Sequence, residues 1–161
     1  MEACCGRLIW QAISATLKAM RIVLDTNVIV AALRSQSGAA QSWLVAALRR
    51  RFELLASPAI FLEYEDVLKR EEQLAAVGLD HQGVDRFLAG LAAVIVPVEV
   101  SFFWRPQLKD PADEMVLETA INGRADFLVT FNVRDFLLAA TRFGISVAGP
   151  AALLPYLEKV S

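Results

Sequence analysis

The sequence predicts an α/β fold, a three-layer α/β/α arrangement around a parallel sheet of four to five strands. Three observations lead there. Short apolar runs at 22–25, 52–56, 94–100, 126–130 and 145–148 are bounded by polar or turn-forming residues, and runs of this length read as buried parallel strands. Segments of helical period separate them, which is the spacing of βαβ units. With 161 residues, and no repeat, low-complexity tract or linker, the chain suits one domain with a substantial core.

Taken in order, residues 22–25 form the first strand and end on Asp25, at the carboxyl end of a central strand where open α/β sheets place their ligand crevices. A carboxylate there has little structural use beyond tightening the corner. Asn27 is expected to cap a helix starting at Val28. A polar loop at 34–38 leads to a helix over 39–51 that closes on Arg49, Arg50 and Arg51. Those three complement the helix dipole or form a phosphate-facing rim. The second strand, 52–56, is followed by Ser57 and Pro58 as N-cap and first residue of a helix to Arg70. Gly78 separates it from a helix at about 80–93. Pro97 inside the third strand points to an edge position or a bulge, and 102–109 is irregular. Asp110-Pro111 begins a helix ending near Gly123. The fourth strand covers 126–130, Asn132 caps a helix to Phe143, and a short strand at 145–148 precedes a closing helix over 150–159.

Residues 1–20 are expected to be an N-terminal extension to a domain over 21–161. The stretch 8–20 is weakly amphipathic and far too short to span a bilayer. Glu2 stands where a secretory signal carries basic residues. A start codon upstream of Met20 accounts for such an appendage, and no membrane partner is expected.

Composition excludes several function classes. The chain is 56% hydrophobic and 21% charged, richer in apolar residues than usual, which suits a partner-covered surface or an unusually buried sheet. A formal charge of −2 argues against coating nucleic acid by bulk electrostatics but allows a local basic rim. Adjacent Cys4 and Cys5 give neither zinc spacing nor a framework disulfide, which suits a reducing cytoplasm. His81 is the sole histidine, so His-rich zinc sites are out and a Ser-His-Asp triad is disfavoured.

Carboxylates remain as the chemistry-bearing groups. In the helix after Pro58 the apolar stripe is Ile60, Tyr64, Val67 and Leu68. Glu63 lies along its edge, whereas Glu65 and Asp66 fall on the polar face. Asp113 precedes Val116 and Leu117 by three and four residues and also faces inward. The competing account is a capping box with Asp110 at N-cap and Asp113 at N3. In the stretch from Thr130 to Asp135, Asn132 at N-cap with Asp135 at N3, and Phe131 stapled on Phe136, make a complete helix start. What favours a functional role for Asp135 is that this turn would adjoin Asp25 if the two strands are neighbours. Carboxylates converging on one crevice repel each other. Mg²⁺ or Mn²⁺ relieves that repulsion with oxygen ligands, and phosphoester hydrolysis is the natural task of such a site.

The segments VLDTNVIVAAL at 23–33, SPAIFLEYEDVL at 57–68, KDPADEMVLETA at 109–120 and ADFLVTFNVRDF at 125–136 occur in an order that resembles the PIN domain family, in particular VapC-like toxins of bacterial toxin–antitoxin pairs. The resemblance implies a Mg²⁺- or Mn²⁺-dependent ribonuclease. It assigns Asp25, Glu63 and Asp113 to three acids of the family quartet. It gives Thr130 and Asn27 the role of holding the acids or the attacking water. The fourth acid departs from the pattern: Asn132 stands where many relatives have aspartate, and Asp135 is the nearest substitute, which leaves one or two metals open. The expectation is therefore an endoribonuclease whose metal is held by Asp25, Glu63, Asp113 and Asp135, with Asn132 or Asp135 positioning water or a second ion. Asn27 and Arg134 are expected to touch RNA, and Arg34, Arg49, Arg50 and Arg142 are further basic candidates. A homodimer masked by a cognate antitoxin is implied by the resemblance. The alternatives are a small-molecule phosphohydrolase and a catalytically weak or inert PIN-like module that binds RNA or protein.

Overall fold

The structure is a computed structural model and describes residues 20–158. Five strands, β1 (Arg21–Leu24), β2 (Glu53–Ala56), β3 (Ile95–Pro97), β4 (Phe127–Val129) and β5 (Ser146–Ala148), form one sheet in the order β3-β2-β1-β4-β5. Every pairing is parallel. Eight helices flank it among the described residues: α1 (Thr26–Arg34), α2 (Ala39–Leu48), α3 (Pro58–Leu68), α4 (Glu71–Val77), α5 (His81–Ala92), α6 (Glu114–Asn122), α7 (Val133–Arg142) and α8 (Leu154–Glu158). The expected three-layer α/β/α fold is the observed one, with the sheet at five strands.

Strand order positions the site. The chain winds outward from β1 through β2 to β3, then returns to the other side of β1 for β4 and β5. The direction of winding therefore reverses between β1 and β4, and such a switch point opens a crevice beyond the strand ends. Leu24 pairs with Val129, so Asp25 and Thr130 leave the sheet side by side.

Successive strand residues point to opposite faces, so consecutive burial means both faces are covered. Ile22, Val23 and Leu24 of β1, Leu54 and Leu55 of β2, and Leu128 and Val129 of β4 are all fully buried. Pro97 lies in β3 at the sheet edge, where its missing N–H costs no ladder bond. Gly123 lets the end of α6 press onto β2 and the segment after β3. A Cβ there would stand 2.8 Å from Leu55 Cδ1 and 2.9 Å from Val98 Cγ2.

Several boundaries differ from expectation, each for a physical reason. β1 stops at Leu24 and α1 starts at Thr26, so Asp25 rather than Asn27 occupies the N-cap position. Helix α2 ends at Leu48; Arg50 turns the chain with φ 53° and the Arg51 N–H reaches back to the Ala46 carbonyl at 2.9 Å. The three arginines thus follow the helix instead of forming its last turn. Helix α3 ends at Leu68, and α4 is a separate element closed by Gly78 at φ 68°; seven residues are too few for a periodic signal. The expected N-terminal extension lies outside the described residues except for Met20, as does the last residue of the expected closing helix. No helix among the described residues is long and apolar enough to cross a membrane.

Candidate active site

Asp25 follows β1 directly and is 4% exposed. Its main-chain N–H continues the ladder to the Val129 carbonyl at 3.0 Å, which fixes its place against the end of β4. The Thr130 hydroxyl donates to Asp25 Oδ2 at 2.6 Å, and the Asn27 side-chain amide donates to the same oxygen at 2.8 Å. Burial pushes the Asp25 carboxyl above the usual carboxylate range. The Thr130 hydroxyl and the main-chain N–H groups of Thr26 and Asn27 pull it back, while Glu63 adds to the rise.

Asn27 is a stitch between two turns rather than a helix cap. Its Nδ2 also lies 3.3 Å from Thr130 Oγ1, and its Oδ1 accepts the Phe131 N–H at 3.3 Å. Thr130 is fully buried, and its hydroxyl accepts the Asn132 N–H at 3.0 Å. The side chain of Asn132 makes no cap bond to α7; it is exposed at the crevice rim.

Glu63 comes from α3. The neighbouring Tyr64 is fully buried, and its hydroxyl donates to the Leu24 carbonyl, tying α3 to the end of β1. Burial, with Asp25 and Glu63 nearby, raises the Tyr64 phenol far above its ordinary value, so it stays a neutral donor. Thr26 donates to Glu63 Oε2 at 2.8 Å. This role of Thr26 is one the sequence reading missed, although its place beside Asp25 was a signal.

Asp113 sits at the N-cap position of α6 without a side-chain cap bond. The expected capping box is absent: Asp110 instead accepts the Ala112 N–H at 2.9 Å in a local turn, and the helix starts later than Pro111. The Asp113 carboxyl is pushed up to about 6, by burial first and then by Asp25, Asp110, Asp135 and Glu63. A buried hydroxyl pair, Ser57 and Thr119 at 2.7 Å, joins the start of α3 to α6 and so links the helices that carry Glu63 and Asp113.

Two further acids were missed as structural parts. Glu114 is buried and accepts the N–H groups of Gln107 and Leu108 at 2.6 and 2.9 Å. Glu118, also buried, takes a two-pronged bond from Arg105 at 2.7 and 2.8 Å. Together they hold the irregular strap before Asp113 against α6.

Asp25, Glu63 and Asp113 line one crevice of about 390 Å³, with Thr26, Asn27, Asn132 and Arg34. Asp135 is exposed in the first turn of α7; it acts on Asp113 electrostatically but is not in the lining. Arg134 is exposed outside the crevice as well. Arg49 lies in a separate cavity beside α2, and Arg50 donates to the Ala93 carbonyl at 2.5 Å.

The expected metal has a specific fit here. Among the described residues, no group of three or more Asp, Glu, His or Cys side chains stands close enough to hold one ion. Like charges repel, and Asp25 and Glu63 instead face neutral donors. Mg²⁺, however, commonly takes only one or two carboxylates and completes its shell with water and substrate phosphate. A crevice lined by three separated carboxylates, two of them with pKa values raised in part by their acidic neighbours, fits that mode, not a preformed three-carboxylate cage.

A family model described as the PIN domain matches residues 21–134, a range that holds all of these site residues except Asp135. No curated protein matches the chain. Among solved structures, that of VapBC2 from Rickettsia felis bound to a DNA fragment from their promoter contains a similar chain. The match covers 81% of this chain and 98% of that one, with a TM-score of 0.56 and 18% identity. At that identity the likeness concerns the fold.

Proposed function

The chain belongs to the PIN domain family, and from that premise we propose that it is a Mg²⁺- or Mn²⁺-dependent endoribonuclease acting on single-stranded or loop RNA. The observation that carries this reading is the lining of one switch-point crevice by Asp25, Glu63 and Asp113.

In this reading Asp25, Glu63 and Asp113 would hold the ion between them, one or two directly and the remainder through its water shell, and Asp135 adds negative charge near Asp113. When bound, the ion supplies Lewis acidity and lowers the pKa of a coordinated water. The chain's own groups do the rest. Thr130 and Asn27 aim the Asp25 carboxylate and offset part of the rise that its burial causes. Thr26 orients Glu63. The Asn132 amide, exposed at the rim, would position the attacking water. Asp113, whose carboxyl is pushed up to about 6 by burial and the neighbouring acids, gives up its proton as positive charge enters.

The same premise supports a role as the VapC-like toxin of a toxin–antitoxin pair, working in the cytoplasm as a homodimer masked by a cognate antitoxin. The similar fold in the VapBC2 complex supports it, as do large exposed apolar side chains at Phe102, Phe103, Trp104 and Leu138. Surfaces of that kind commonly mark protein contacts.

One observation favours a second reading. The acids are not gathered around one point, and Asn132 replaces a fourth, which suits a weak or inert module that binds RNA or protein. A small-molecule phosphohydrolase is the third. Incubating RNA with the protein and Mg²⁺, with a chelator, and with Asp25→Asn separates them. The nuclease reading requires cleavage in the first case and loss in the other two. Intact RNA alongside turnover of a generic phosphoester means the phosphohydrolase, and no turnover of either means the inert module.

A further inference from the structure

The crevice is elongated, and its two ends differ in chemistry. Thr26, Asn27, Val30, Ala31 and Arg34 of α1 all line it. Their spacing of one, four, five and eight residues from Thr26 places them on one helical face. The opposite wall is α3, through Glu63 and Val67, four residues apart. A groove therefore runs along α1 from the acids at its start to Arg34 in its last turn. At 1.5 Å of rise per residue it is about 12 Å long. Val30, Ala31 and Val67 give its middle an apolar floor.

Among the described residues, Arg34 is the one cation in this lining. It is exposed, and its Nε donates to Gln73 Oε1 of α4 at 3.0 Å. That bond comes from a separate element and aims the guanidinium, whose terminal nitrogens lie beyond it. A planar fork of donors is suited to phosphate. Completing the α1 dipole requires neither the aiming bond nor the groove.

Resting on the ribonuclease reading, we propose that Arg34 grips an RNA phosphate away from the scissile one, with the ribose and base between them lying over Val30, Ala31 and Val67. At a strand rise of 3.4 Å per nucleotide when stacked, and more when extended, 12 Å corresponds to roughly two to four nucleotides. The groove thus has a direction: carboxylates and cleavage at one end, a phosphate anchor at the other. Gln73 is a positioning residue for that anchor.

The test compares Asp25→Asn protein with Asp25→Asn/Arg34→Ala in binding a fluorescent single-stranded RNA 12-mer across a KCl series with Mg²⁺. Steady-state cleavage by wild type and Arg34→Ala runs alongside. The expected result is roughly tenfold weaker binding and a salt slope shallower by about 0.7, the release of one phosphate contact on a single strand. KM rises while kcat stays within about twofold. Arg34→Lys keeps the slope. A dipole role alone leaves slope and KM unmoved. Equal affinity and slope for the 12-mer overturn the Arg34 assignment alone. No RNA binding or cleavage by any of these proteins, wild type included, overturns the ribonuclease reading and the groove assignment with it.

Discussion

Thr130 Oγ1 donates to Asp25 Oδ2 at 2.6 Å, joining the ends of β1 and β4 through residues 105 positions apart. The Thr130 hydroxyl also accepts the Asn132 N–H and lies within reach of the Asn27 amide. Replacing Thr130 by valine keeps the shape and removes that centre. The expected cost is about 1–3 kcal/mol in denaturant unfolding, the penalty for leaving buried polar groups unpaired, with cleavage down tenfold or more. Thr130→Ser retains most of both. A valine variant as stable and active as wild type contradicts the arrangement.

The Asp113 carboxyl gives a pH signature. It is pushed up to about 6 from an ordinary value of 3.8, so the folded state binds its proton more tightly than the unfolded state does. Its contribution to stability is full below about pH 4 and is lost as pH rises through 6. Asp113→Asn is therefore expected to raise the metal-free Tm at pH 7.5 and to leave it unchanged at pH 4. Cleavage by wild type should decline as pH falls through 6, with the decline moving to lower pH as Mg²⁺ increases. Tm shifts equal at both pH values would contradict the assignment.

Thr26 aims Glu63 through a 2.8 Å bond. Groups that orient metal ligands are typically worth 10–100-fold in metal affinity. Thr26→Val should raise the Mg²⁺ concentration for half-maximal cleavage about tenfold, and Thr26→Ser should restore it. An unchanged metal dependence would leave Thr26 a packing residue.

Glu114 holds the strap before Asp113. Glu114→Ala leaves two main-chain donors, Gln107 and Leu108, without their acceptor, and bonds to charged groups are worth about 1.5–3 kcal/mol. A loss of about 3 kcal/mol is expected. Glu114→Gln keeps an acceptor oxygen in place and should lose less than half of that. Equal losses in the two variants would show that the charge, and not the strap contacts, matters.

Local signals made much of this legible in the sequence. Buried strand runs, the Ser57-Pro58 helix start and the apolar stripe beside Glu63 are written in neighbouring residues, and all appear in the fold. What escaped depends on partners far along the chain. Asn27 has the chemistry of a helix cap, but it bonds Asp25, Thr130 and Phe131, and only the adjacency of β1 and β4 makes that possible. The spacing of Asp110 and Asp113 imitates a capping box until the helix is seen to start at Glu114. Glu114, Glu118 and Arg105 gave no signal because their partners lie on an irregular strap with no period. Arg34 could not be told from the other arginines until α1 and α3 were seen to wall one groove.

The most direct measurement is a calorimetric titration of Mn²⁺ into the wild-type protein and into Asp25→Asn, Glu63→Gln and Asp113→Asn, each also assayed for RNA cleavage. The expected result is that the wild type binds the ion and cuts RNA, and that each substitution weakens binding and abolishes cutting. Undiminished Mn²⁺ binding in all three variants, or a wild type that binds none, would contradict it.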